Sequence, residues 1–283
     1  MTSQIHVNPQ FIDSADRSAQ YGDASFTSMY VENGRVVLFE AHIQRLQNAC
    51  ERLKIGFADW DALVTKVTQT ATDVCSKQCP FHVIKIIISR GAGGRGYQVP
   101  EQERPVCIIT THATSNIRTF NNIEQVNISA ITLPEHDTLG GLKHNNRLAQ
   151  VTAKQELSVL GCDDLLLCDA RQQVIEATSS NIFYRLGGAW FTPSLANVGV
   201  RGLMRDALMS YLNTQSQVER KFSINVASHH ASQFKYIDAL LLTNAVKGVV
   251  PVSSLYIDNK KVNLDTQLQD IINPFLDTLL EHA

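Results

Sequence analysis

Apolar and polar positions along the chain change period several times, and each change marks an element. Around Asn33-Gly34, the dipeptide that best supports a two-residue hairpin, the flanking runs Ser25–Glu32 and Arg35–Phe39 read as paired strands. Ile43, Leu46, Cys50 and Leu53 then fall at helical spacing. A second helix is expected from about Trp60 to Gln78, with Leu63, Val67 and Val74 on one side. Two apolar strands, Phe81–Ser89 and Val106–His112, follow, separated by a glycine-rich loop. Residues 114–122 are polar and rich in Ser, Thr and Asn, which is the composition of a linker.

Beyond the linker the pattern starts again. A strand is expected at Val126–Leu133 and a helix at Asn145–Leu160. Short strands follow at Asp164–Asp169, Gln173–Thr178, Asn181–Arg185 and Ala189–Thr192. Gly199–Asn213 opens on a glycine turn and continues as a helix; Tyr236–Thr243 and Gly248–Val252 are strands, and Leu264–Leu280 a final helix. Helices and strands mix without regular βαβ alternation. The expected class is α+β in two domains: a small N-terminal α/β domain over 1–113, a linker over 114–122 and a larger C-terminal domain over 123–283.

Composition narrows the functions available. A chain of 283 residues buries enough apolar surface to fold without disulfides or metal. Lys plus Arg number 25 against 27 for Asp plus Glu, a balance unsuited to coating nucleic acid or an anionic membrane. The longest apolar runs are too short for a membrane span, and Met1–Gln10 lacks the apolar segment of a secretory leader, so a cytoplasmic protein is expected. The Asn127-Ile128-Ser129 sequon is then incidental. Six cysteines, at 50, 75, 79, 107, 162 and 168, read as small buried hydrophobes in a reducing compartment, and no ligand spacing completes a metal site. The adjacent His229 and His230 lack a third ligand and are expected to face solvent.

Several segments carry chemistry instead. Arg90-Gly91-Ala92-Gly93-Gly94-Arg95-Gly96-Tyr97 contains a G-x-G-x-x-G pattern directly after a strand. No helix follows it, so the dinucleotide reading fails on context and leaves a loop with two arginines and a tyrosine, suited to an anion. Lys143 follows two glycines and precedes a helix. An ordinary lysine solubilises a surface; as a nucleophile near pH 7.5 barely one in a thousand is neutral, and a three-unit shift takes about 4 kcal/mol of desolvation or neighbouring charge. Glu176 ends a strand and is followed by small polar residues, which alone describes a turn. Val198-Gly199-Val200-Arg201-Gly202 opens a helix whose N-terminus offers backbone N–H groups to a phosphate. Thr243-Asn244-Ala245 follows an apolar strand, a usual place for ligand contacts.

Taken in order, these segments resemble the fold-type IV pyridoxal-phosphate enzymes, the group that includes branched-chain and D-amino acid aminotransferases. The resemblance runs from Asp16-Arg17-Ser18-Ala19-Gln20-Tyr21-Gly22-Asp23 to Thr243-Asn244-Ala245. Ala41-His42-Ile43-Gln44-Arg45-Leu46, the Ile88–Tyr97 segment and Gly141-Leu142-Lys143-His144-Asn145-Asn146-Arg147-Leu148 are similar to its lyase branch, which splits aminodeoxychorismate into 4-aminobenzoate and pyruvate. The resemblance implies a C-terminal domain with a mixed-sheet, barrel-like core, a small-molecule substrate and a homodimer. It implies that Lys143 forms the internal aldimine with pyridoxal phosphate and later moves the substrate proton. Glu176 would pair with the pyridine nitrogen, and Arg45 would bind the phosphate. The backbone N–H groups of Val200 and Arg201, with the Thr243-Asn244 turn, would complete the phosphate cup, and Ser179, Ser180 and Asn181 would lie near the ring. Arg95 and Tyr97 would meet the substrate.

Within the family, aminotransferases commonly carry Glu where this chain has Thr27, which matches the lyases and is a candidate for orienting the leaving group. The usual Gly-Asp-Gly stands here as Gly22-Asp23-Ala24. The rival readings are an aminotransferase acting on D-amino or branched-chain acids and a non-catalytic binding protein on the same fold. The pairing of Lys143 with Glu176 argues against the second.

Overall fold

A computed structural model describes residues 3–119, 122–219 and 223–281. Of the expected linker, residues 120 and 121 lie outside that set. The chain is α+β and forms two compact units. The first comprises residues 1–116, 142–146 and 279–283; the second comprises 117–141 and 147–278.

The first unit begins with β1 (Gln4–Val7), α1 (Arg17–Tyr21), β2 (Ala24–Glu32) and β3 (Arg35–Val36). It continues with α2 (Phe39–Leu53), α3 (Trp60–Val74), β4 (Phe81–Ser89) and β5 (Val106–Ala113). The five strands form one sheet in the order β1-β5-β4-β2-β3. Asn33 and Gly34 both have positive φ, as the tight turn between β2 and β3 demands. Met29, Val31, Ile84, Ile86, Ile88 and Ile109 from the sheet share a core with Ile43, Leu46, Leu63 and Val67 from the two helices. That burial removes β-branched and aliphatic surface from water at about 1.5–3 kcal/mol per side chain.

Two departures have local causes. The helix expected to reach Gln78 stops at Val74, because Ser76 and Cys79 exchange backbone hydrogen bonds in a tight turn before Pro80. Strand β1, whose alternation spans only four residues, is held by its parallel pairing with β5. Short segments of that kind are fixed by a partner and carry little signal of their own.

The second unit holds β6 (Val126–Thr132), α4 (Leu148–Leu160), β7 (Asp164–Cys168), β8 (Val174–Ala177), β9 (Asn181–Leu186) and β10 (Ala189–Thr192). It continues with α5 (Leu203–Glu219), β11 (Ile224–Val226), β12 (Ile237–Asn244), β13 (Gly248–Pro251), β14 (Ser254–Ile257), β15 (Lys260–Asn263) and α6 (Gln269–Glu281). Two five-stranded sheets result, ordered β11-β10-β9-β12-β13 and β15-β14-β6-β7-β8. They share one core, in which Val126, Leu166 and Val174 meet Ile182, Tyr184, Leu240 and Leu242, in keeping with the barrel-like core expected.

Helix α4 starts at Leu148 and not at Asn145, for a reason that bears on the candidate site below. Cys50, Cys107 and Cys168 are buried as expected, whereas Cys75, Cys79 and Cys162 are half-exposed. His229 corrects the expectation of a solvent-facing pair: its Nδ1 lies 2.7 Å from the Tyr184 hydroxyl and its ring packs edge-on against Tyr184 and Phe191. His230 is exposed and caps the 3₁₀ turn Ala231–Tyr236.

Candidate active site

In the first unit the site is organised by β2. Its partner β3 is two residues long and pairs only with Val31 and Glu32, leaving the edge at Ala24–Ser28 without a strand. Residues 143–145 fill that edge: the Phe26 N–H donates to the Lys143 carbonyl (3.0 Å) and the Asn145 N–H to the Ala24 carbonyl (2.9 Å). The buried Ser25 hydroxyl donates to the same Lys143 carbonyl at 3.0 Å. Asn145 thus gives its N–H to β2, which is why the helix cannot begin there. Ala24, where the family commonly has Gly, is buried at the start of β2. The half-buried Lys143 carries its Nζ 4.5 Å from the centre of the Phe26 ring, within cation–π range.

Thr27 lies next to Phe26 but faces the opposite side, toward α2. It is fully buried, and its Oγ1 sits 2.6 Å from Nδ1 of the equally buried His42. Arg45, one helical turn further on and half-buried, donates from Nη1 to the same oxygen at 3.4 Å. Burial, then the positive charges of Arg45 and Lys143, hold His42 well below the usual imidazole range and keep it neutral. Residue types alone single out Arg45 and Thr27 and not His42, although the i, i+3 spacing of His42 and Arg45 places both on one helical face.

Arg95 and Tyr97 stand apart from this group, on the loop after β4, where both are exposed. Their loop is anchored by the buried Arg17. Its guanidinium donates to the carbonyls of Gly93, Gly96, Tyr97 and Gln98 and to the Asp23 carboxylate. Asp23 also receives Arg90, which in turn bonds Glu103 (2.5 Å) and the carbonyls of Leu53 and Lys54. At Gly91, φ is +84° and a Cβ would run into the Arg104 carbonyl, so only glycine permits this path.

In the second unit Glu176 is buried on β8. Its Oε2 accepts the Val200 N–H at 2.8 Å, its Oε1 accepts Gln150 Nε2 at 3.4 Å, and the charge of half-buried Arg147 bears on it. Gly199, at φ +73°, makes the approach possible, since a Cβ there would meet Glu176 Oε2 at 2.9 Å. The Arg201 N–H donates to the Gly141 carbonyl at 2.9 Å. Both N–H groups, expected to meet a phosphate, are thus bonded within the chain in this structure. Asn181 Nδ2 donates to the Val200 carbonyl (2.8 Å) and Asn244 Nδ2 to Ser180 Oγ (2.9 Å). Ser179 is exposed, and the Arg201 side chain turns outward to Asp206. The Thr243 hydroxyl is buried without a hydrogen-bond partner among the described residues. Arg147 and Gln150 stand beside Glu176 with no role expected from sequence: Arg147 lies in the lyase-like segment after Lys143, and Gln150 carries no distinctive signal.

The comparisons with known proteins agree with this arrangement of elements. The model of the amino-transferase class IV family matches residues 24–255. The chain is similar to the aminodeoxychorismate lyase of Vibrio harveyi, 31% identical over 251 residues that cover 88% of this chain and 89% of that protein. The crystal structure of 4-amino-4-deoxychorismate lyase from Pseudomonas aeruginosa matches with a TM-score of 0.80 at 27% identity, over 95% of this chain and 96% of that one. A putative branched-chain-amino-acid aminotransferase of Methanocaldococcus jannaschii is 23% identical over 271 residues, 92% of this chain and 91% of that one.

Two outcomes follow from the arginine cluster. Replacing Arg17 by Ala leaves Asp23 with Arg90 alone and frees four loop carbonyls, at about 1.5–3 kcal/mol. Urea unfolding should show that loss, with trypsin cutting faster after Arg95 in the native variant. Burial raises the Asp23 carboxyl, but the hydrogen bonds and charges of Arg90 and Arg17 outweigh it and leave it below its usual 3.8. A lowered folded value adds stability that is present above the unfolded value and lost as pH falls through the folded one. Thermal midpoints of Asp23→Asn should therefore fall less steeply than the native protein's between roughly pH 5 and pH 2.

Proposed function

The chain belongs to the amino-transferase class IV family, and from that premise we propose a pyridoxal-phosphate-dependent lyase that converts 4-amino-4-deoxychorismate to 4-aminobenzoate and pyruvate. The observation that carries this reading is Thr27. Where the aminotransferases of the family commonly hold a glutamate, this chain buries a hydroxyl against His42 and Arg45. The similarity to lyases from Vibrio harveyi and Pseudomonas aeruginosa supports the same branch.

The chemistry of the side chains in each unit suits the cofactor. Thr243 offers a buried hydroxyl without a partner among the described residues, Arg45 a half-buried cation, Glu176 a buried carboxylate and Lys143 an amine over an aromatic face. Lys143 would attach it, Glu176 would keep the ring nitrogen protonated, and Arg45 and Thr243 would meet the phosphate. Ser179, Ser180, Asn181 and Asn244 would line the ring and its edge. Val200 and Arg201 would contribute their N–H groups only where Glu176 and Gly141 release them. When bound, pyridoxal phosphate supplies an electron sink for the negative charge that develops on the substrate carbon bearing the amine.

The protein's part is proton handling and orientation. Lys143 Nζ takes the proton from the amine-bearing carbon, and its pinned carbonyl limits the lysine's search to side-chain rotation. The Thr27 hydroxyl serves the oxygen of the departing enolpyruvyl group. Arg95, with Tyr97, receives a substrate carboxylate, for which a guanidinium fork is suited. Aromatisation of the ring supplies much of the driving force.

The same reading makes the protein a cytoplasmic homodimer. Among the described residues no helix is long and apolar enough to cross a membrane. Helix α4 buries Ala153 while exposing Leu148, Val151 and Val159, an apolar surface of the kind a second copy covers. Light scattering on the loaded protein should give twice the 31.4 kDa chain mass; a monomer refutes this part.

The activity itself is tested by fluorescent 4-aminobenzoate released from enzymatically supplied aminodeoxychorismate. The native protein should form it, and Lys143→Ala should lose at least about 1000-fold in kcat. Absence of product from cofactor-loaded native protein, with an amino acid converting the cofactor to its amine form, would give the site to an aminotransferase.

A further inference from the structure

His42 is buried, neutral and unused in the chemistry above, yet it makes the shortest contact of the Thr27 hydroxyl. Two tautomers are possible. With the proton on Nε2, Nδ1 would accept the threonine O–H and the hydroxyl would be turned inward. With the proton on Nδ1, the imidazole donates to Thr27 Oγ1.

Two observations choose between them. Nε2 of His42 is buried with no hydrogen-bond partner among the described residues. An orphaned buried N–H is the rarer and more costly defect, whereas a bare acceptor is better tolerated, so the proton belongs on Nδ1. Arg45, which can only donate, already approaches the same oxygen. Together His42 and Arg45 then fill both lone pairs of Oγ1, and the hydroxyl's own proton has to point away from them.

We propose that His42 is a positioning residue, which in its Nδ1–H tautomer joins Arg45 in aiming the Thr27 hydroxyl outward as a hydrogen-bond donor to a substrate oxygen. This rests on the lyase reading for the identity of that oxygen, and on geometry alone for the direction of the bond. Two donated hydrogen bonds also polarise the hydroxyl, which strengthens it as a donor when negative charge develops on the acceptor. Lys143 and Arg45, the charged groups that bear on the imidazole, disfavour its protonation, so the donor pattern holds through neutral pH.

The test separates this inference from the activity on which it draws. Long-range 15N–1H spectra of histidine-labelled protein, assigned by the signal that His42→Asn removes, report the tautomer whatever the enzyme does. Nδ1–H is expected; Nε2–H overturns the proposal, and failure to form 4-aminobenzoate overturns only the lyase reading.

Kinetics of the loaded enzyme supply the second arm. The Asn amide nitrogen occupies the place of Nδ1, so His42→Asn should retain most of kcat. His42→Gln and His42→Leu lose that donor and should lower kcat roughly 10–100-fold with KM nearly unchanged. Added to Thr27→Val, His42→Gln should cost nothing further, since there is no hydroxyl left to orient. Independent, additive losses, or equal damage from Asn and Gln, would mean that His42 merely fills the core.

Discussion

Everything proposed for this chain depends on an edge of β2 that its hairpin partner does not cover. Backbone N–H and C=O groups on a partly buried edge need partners, and a two-residue β3 supplies them only at the far end. The segment carrying Lys143 completes the pairing, with the Ser25 hydroxyl adding a third hydrogen bond to the same short stretch. Because side chains alternate along a strand, Phe26 presents its ring to the lysine amine while Thr27 turns toward α2, where the lysine charge also reaches His42. One strand thereby fixes the lysine's main chain, its aromatic neighbour and the hydroxyl that His42 and Arg45 hold.

The elements with strong periodicity were legible from sequence, and the exceptions have physical reasons. The Asn33-Gly34 turn, the strand Phe81–Ser89 and the stripe of α2 follow from local chemistry that no tertiary contact overrides. Strands β1 and β11 were not legible, because three or four residues are too few for an alternation to stand out, and each is held by parallel pairing with another strand. The start of α4 was misplaced for the opposite reason. Asn145 looks like a helix opener, but its N–H is claimed by Ala24, more than a hundred residues away in sequence. His229 read as a surface residue because nothing in its immediate sequence announces Tyr184.

The candidate site shows the same division. Lys143, Glu176 and Arg45 stand in segments whose order and spacing carry a family resemblance, so residue types alone single them out. The state of the backbone around them is not read that way. That Val200 and Arg201 give their N–H groups to Glu176 and Gly141 depends on how the turn at Gly199 folds back, which residue types alone do not specify. His42 was hidden by position: next to Ile43 on the buried face of a helix, it reads as one more core residue, and only the hydroxyl opposite gives it meaning.

Arg17 touches its loop through carbonyl oxygens and not through side chains. Every residue type, proline included, presents a backbone carbonyl, so this anchor does not read the side chains the loop displays. Position 95 can thus exchange charge or size, and position 97 can change at the loss of its edge-on contact with Tyr21, while the carbonyl anchor beneath them stays the same. A lineage drifting from one carboxylated substrate to another could rewrite the recognition surface by point substitution, with no need to evolve a new loop.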